Sequence, residues 1–291
     1  MGETPLAGAG QRRADALGRI LGIARCGGAA PQCTLVSKSS TGAERLRSAI
    51  LNARQPALLP FFTAGHPRRE DFHAILDMLA AAGDAVEIGV PFSDPMADGV
   101  TIQRASETAL ANRVSLNWIL DELQAHGDPG VPLVLMSYYN PLLAYGLESL
   151  ATRCGECGVA GLIVPDLPWE ECAAARAPLQ KHGAALVQMV TPATPDDRLR
   201  ALCQASGGFV YAVTATGVTG GEREVSAEMT GYMQKVSEYS GLPVCAGFGV
   251  RSAQQVRALS GVADGVIVGS AVVDCLERGE DAGAFLRQLR D

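Results

Sequence analysis

The 291-residue sequence predicts a (β/α)8 TIM barrel, and three observations carry that prediction. From Leu58 onward eight short apolar runs succeed one another. Each run is continuously apolar rather than alternating, the pattern of parallel strands buried on both faces. The stretches between them place apolar residues at helical spacing, as the crossovers between parallel strands require. Eight such units in about 250 residues match the barrel in count and size. An open doubly wound sheet is the rival, but its GxGxxG fingerprint after the first strand is missing.

Taken in order, residues 1–40 stand apart: rich in Gly, Ala, Arg and Ser, with only Glu3 and Asp15 against Arg12, Arg13, Arg19, Arg25 and Lys38. They read as a disordered extension outside the barrel, with an organelle transit peptide as the alternative. The folded domain is expected over 41–291. Thr41 to Glu44 has the form of a capping box, followed by Leu46, Ala49, Ile50 and Ala53 at helical spacing, which predicts an N-terminal helix that caps the barrel. The predicted strands are 58–64, 85–90, 132–138, 161–165, 185–190, 208–214, 243–249 and 265–270. Between them, Phe72, Ile75, Leu76 and Leu79 recur at i, i+3, i+4 and i+7, and Leu116, Ile119, Leu120 and Leu123 repeat the spacing, so both stretches predict amphipathic helices.

Composition narrows the function. A formal charge of −7 without basic stripes argues against a nucleic-acid or anionic-membrane partner. No apolar run reaches the ~18 residues of a membrane span. The eight cysteines are scattered and read as reduced thiols of a cytoplasmic protein. Cys154 and Cys157 form a CxxC pair without a second pair or a nearby histidine, which reads as packing. The four histidines, at 66, 73, 126 and 182, sit in no metal-ligand spacing, so no metal is expected. Small, soluble substrates fit better.

In a barrel, catalytic groups lie where strands end and βα loops begin. Glu87 is a lone carboxylate among Val86, Ile88 and Val90, where burial disfavours its charged form unless a partner or a chemical role compensates. The loop that follows carries Asp94 and Asp98 between prolines and Gly99. Paired acids on such a loop suit acid–base work, and a strand-end ion pair with Asx turns is the plainer alternative. Phe61, Thr63, Tyr138, Asp166 and Tyr211 fall at other strand ends.

Glycine-bearing segments cluster late: TGVTGG (216–221), GFG (247–249) and VGS (268–270). Glycine lets a backbone amide approach an anion closely, and a helix N-terminus offers unpaired N–H groups. Amides of Gly220, Gly249, Gly269 and Ser270 could therefore hold a phosphate without Lys or Arg, with turn and C-cap glycines as the plainer alternative. Other phosphosugar isomerases and epimerases share this device, so fold alone does not choose the reaction.

The motifs LPFFTAG, VEIGVPFSDPMADG, MSYYNP, IVPDLP, TGVTG, GFGV and IVGSAVV together resemble the tryptophan synthase α chain from about Leu46 to about Leu289. That resemblance implies a lyase of tryptophan biosynthesis that splits indole-3-glycerol phosphate into indole and glyceraldehyde 3-phosphate without a cofactor of its own. It implies that Glu87 shuttles the proton to indole C3 and that Asp98 accepts the indole N–H. Phe61, Met136, Tyr138 and Tyr211 would line the indole pocket, and Thr219 on a closing loop would hydrogen-bond toward Asp98. A partner is also implied: a pyridoxal-phosphate β subunit, in an α2β2 assembly, touching the loop with Pro91, Asp94 and Pro95. A free-standing indole-3-glycerol-phosphate lyase and a non-catalytic regulator that binds a phosphorylated ligand are the alternatives. His66 stands where the family usually has Asp.

Overall fold

The computed structural model describes residues 40–54, 56–213, 227–247 and 249–291. The predicted extension over 1–40 lies outside them except for Ser40. Thr219 and Gly220 also fall outside.

Eight parallel strands close into a barrel in sequence order: β1 (Ala57–Thr63), β2 (Val86–Gly89), β3 (Leu133–Met136), β4 (Val159–Ile163), β5 (Ala185–Val190), β6 (Val210–Val213), β7 (Val244–Gly247) and β8 (Gly265–Val268). The closing seam pairs β1 with β8, Leu59 opposite Ile267. Around the barrel, chain order gives α1 (Gly42–Asn52), α2 (Phe72–Ala80), α3 (Val100–Ala111), α4 (Leu116–His126), α5 (Tyr139–Tyr145) and α6 (Leu147–Glu156). There follow α7 (Ala173–Lys181), α8 (Asp196–Ala205), α9 (Ala227–Ser240), α10 (Ala253–Leu259), α11 (Ser270–Glu277) and α12 (Ala282–Leu289). Two helices, α3 and α4, therefore separate β2 from β3.

The continuous apolar runs arise because both strand faces are buried. Leu58, Phe62, Val86 and Ile88 face outward into the layer shared with the helices. Ala57, Leu59, Ala85, Val134, Val187 and Ile267 face inward. Alternation then sends Phe61, Thr63, Glu87, Met136 and Tyr211 into the lumen, toward the strands' C-terminal ends.

The opposite end is plugged by α1. Thr41 and Glu44 form the expected capping box, and the buried Leu46 and Ile50 join the inward-facing core. A Cβ at Gly42 would lie 2.2 Å from the Ala160 carbonyl oxygen, so only glycine lets α1 seat this closely. Arg45 adds a 2.6 Å hydrogen bond from its guanidinium to the Gly158 carbonyl. Leu46→Ala is expected to destabilise the barrel by about 2 to 5 kcal/mol in urea unfolding, since truncating this fully buried side chain leaves a cavity under the plug. A loss below about 1 kcal/mol would mean that α1 contributes little to closing the barrel.

Among the described residues no helix is long and apolar enough to cross a membrane. Cys154, Cys157, Cys172, Cys203, Cys245 and Cys275 are free and buried.

Candidate active site

The two acids singled out in the sequence come together at the strands' C-terminal end. Glu87 is 2% exposed, and neither carboxylate oxygen has a hydrogen-bond partner among the described residues. Its register partners are Phe61 on β1 and Val134 on β3, an apolar seat on both sides. Burial, with a smaller contribution from the charge of Asp98, pushes its carboxyl up to about 8. A carboxyl with that value keeps its proton at neutral pH, and a strand-end ion pair would have lowered it instead.

Asp98 occupies the loop between β2 and α3, one residue before the N-cap Gly99, and is half-buried. Burial raises its carboxyl to about 6, opposed by a hydrogen bond from Tyr138. Tyr138 is displaced from its expected place: β3 ends at Met136, and Tyr138 instead caps the start of α5. From there its hydroxyl accepts the Ala97 N–H at 2.8 Å, and its ring stacks on Phe92 with centroids 4.9 Å apart. Tyr138 therefore pins the loop that carries Asp98. Asp166 accepts the Tyr139 N–H at 2.8 Å and so anchors the start of α5.

The aromatic and apolar candidates surround these acids. Phe61 and Met136 pack with Ala105 and Val273 in a small upper cluster, and both line a cavity beside Asp98 with Thr63, Ile102 and Ser106. A Cβ at Gly89 would fall 2.5 Å from Phe61 Cζ, so glycine gives that ring its room. Tyr211 projects from β6, and its buried hydroxyl is held well above its usual range, first by burial and then by the charge of Glu87.

Of the phosphate candidates, Gly269 and Ser270 lie where β8 passes into α11, with Gly269 as the N-cap. A Cβ at Gly269 would sit 3.6 Å from Phe61 Cδ1, which places this helix start beside the ring pocket. Gly249 follows β7 with φ +60 and no atom within contact of an added Cβ. A cationic side chain stands beside Ser270. Arg251 reaches the Ser270 hydroxyl at 3.5 Å while its other nitrogen pairs with Asp274 at 2.9 Å. Its position directly after GFGV was the available signal. Among the described residues no His, Cys, Asp and Glu cluster is arranged to hold a metal.

A family model described as tryptophan synthase alpha chain matches residues 48–289. A tryptophan synthase alpha chain from a Roseiflexus species is 42% identical over 247 residues, covering 82% of this chain and 95% of that one. One from a Picosynechococcus is 43% identical over 242 residues, covering 82% and 91%. Among solved structures, the tryptophan synthase subunit alpha of Legionella pneumophila superposes with a TM-score of 0.78 at 30% identity, covering 87% and 98%. A chain of Mycobacterium tuberculosis tryptophan synthase gives 0.77 at 33%, covering 86% and 97%. With matches of this extent, a closed barrel and paired acids at its mouth, the chain belongs to the tryptophan synthase alpha chain family, lyases of tryptophan biosynthesis.

Proposed function

We propose that this chain cleaves indole-3-glycerol phosphate to indole and glyceraldehyde 3-phosphate, with Glu87 as the proton shuttle and Asp98 as the acceptor for the indole N–H. One observation carries the assignment: a fully buried carboxyl with no hydrogen-bond partner among the described residues, held near 8, with a second acid close enough to contribute to that value. Glu87 first gives its proton to indole C3, which leaves an iminium that the Asp98 carboxylate stabilises through its N–H. The Glu87 carboxylate so formed then takes the proton of the hydroxyl on the carbon bonded to C3. That oxygen becomes the aldehyde carbonyl, the carbon–carbon bond breaks, and its electron pair returns to the ring. Indole leaves, and Glu87 is again protonated. Phe61, Met136, Tyr138 and Tyr211 hold the ring, while Gly249, Gly269 and Ser270 present amides to the phosphate; Thr219 and Gly220, which the family resemblance adds to these contacts, lie outside the described residues.

No cofactor of this chain enters these steps; pyridoxal phosphate belongs to the β subunit that we propose as partner in an α2β2 assembly. The loop after β2 and the start of α3 support such a contact, because Met96 is 85% exposed and Val100 76%, two apolar side chains left on the surface close in the chain to Asp98. Gel filtration with a tryptophan synthase β subunit should give a complex larger than either component. Separate elution would favour a free-standing lyase.

The two acids set the pH dependence. Asp98 must be ionised to accept the N–H, so the rate should fall as pH drops through about 6. Glu87 must be protonated to donate, so the rate should fall as pH rises through about 8. A bell in kcat/KM centred near 7 is expected. A profile flat from about pH 5 to 9 would contradict both assignments.

A further inference from the structure

Thr63 is the last residue of β1, opposite Gly89, two residues past Glu87 along the neighbouring strand. It is 1% exposed, and its hydroxyl has no hydrogen-bond partner among the described residues. A threonine so placed carries an uncompensated desolvation cost, since valine would fill nearly the same space without it. Ser106, on α3, is 4% exposed and lines the same cavity as Thr63 and Asp98. That cavity has room for about one water. Its remaining side chains are apolar or already bonded: Phe61, Val90, Ile102 and Met136 carry no polar side-chain atom, the Ser137 hydroxyl donates to the Tyr138 carbonyl at 2.9 Å, and the Tyr138 hydroxyl accepts the Ala97 N–H and bonds to Asp98.

We propose that Thr63 and Ser106 are positioning residues for Asp98: their hydroxyls, from β1 and α3, hold one water that donates a hydrogen bond to the Asp98 carboxylate. Three polar partners, two hydroxyls and a carboxylate, are the usual complement of a buried water. The arrangement meets a need of the site. Burial works against ionisation of Asp98, and among the described residues the titratable groups that act on it, Glu87, Tyr138 and Tyr211, include no cation. A second donor beside Tyr138 keeps the carboxylate ionised and aimed at the ring nitrogen. This inference rests on the proposed role of Asp98 in accepting the indole N–H.

The test measures indole release from indole-3-glycerol phosphate against pH, with a β subunit present, for Thr63→Val, Thr63→Ser and Ser106→Ala. Thr63→Val keeps the shape and removes the hydroxyl. It should lower kcat by about five- to twentyfold and move the acid limb upward by about half a pH unit or more. Thr63→Ser, which restores a hydroxyl, should keep both within about twofold of wild type. Ser106→Ala sits on a different element and should reproduce the limb shift, so it carries the test if Thr63→Val does not fold. Wild-type rate and limb in Thr63→Val and Ser106→Ala would overturn the proposal. Equal losses in Thr63→Val and Thr63→Ser would also overturn it, because packing of the methyl group would then be the cause. A wild-type protein that releases no indole would instead refute the underlying function.

Discussion

Glu87→Gln should lower indole release by about 10³-fold or more and at the same time make the protein more stable at alkaline pH. The amide matches the carboxyl in shape and reaches the same place, but it neither gives a proton to C3 nor takes one from the hydroxyl. Substrate binding should be nearly unchanged, so the loss falls on kcat. The stability effect has the opposite sign for a physical reason. Glu87 titrates at about 8 in the folded protein against 4.5 for a free carboxyl, so between those values the folded state keeps a proton that the unfolded chain has released. Wild-type stability therefore falls as pH rises through that window, and Glu87→Gln removes the fall. By pH 9 the variant should be more stable by about 1 kcal/mol or more. Thermal melts at pH 6 and 9 read this directly. A variant that keeps a tenth of the activity, or whose melting point tracks wild type at both pH values, would show that Glu87 is not the shuttle.

Asp98→Asn is the second large effect, with kcat/KM lower by about 10² to 10³-fold. Asparagine still offers an oxygen to the indole N–H but brings no negative charge to the iminium. It also has a consequence at Glu87. The charge of Asp98 helps to hold Glu87 near 8, so its removal should shift the alkaline limb of the residual rate to lower pH. Loss of rate with an unmoved limb would mean that the two acids are not electrostatically coupled. Packing alone does not predict that shift, because Asp98 lies on a loop pinned by Tyr138 and contributes nothing to the apolar core.

Much of this was legible in the sequence because the barrel buries both faces of its strands: Val86, Ile88 and Val90 around Glu87 announced a strand and made its one carboxylate conspicuous. The helix at 42–52 could likewise be read from its capping box. Its seat against Ala160 could not, since that contact joins residues far apart in the chain and depends on Gly42 having no side chain. The sequence places Tyr138 at the end of a strand, because an apolar run gives no sign of where its last hydrogen bond falls. Instead the run passes straight into α5. Arg251 and Ser106 are not legible for a different reason. Each lies beside a group on another element, Ser270 and Asp98 respectively, and single-chain spacing does not encode that proximity.

The most direct test of the account is indole release from indole-3-glycerol phosphate by the purified chain, alone and then with a β subunit added. Equal amounts of indole and glyceraldehyde 3-phosphate, formed slowly by the chain alone and much faster with the β subunit, are the expected result. No indole under either condition would contradict the account at its centre.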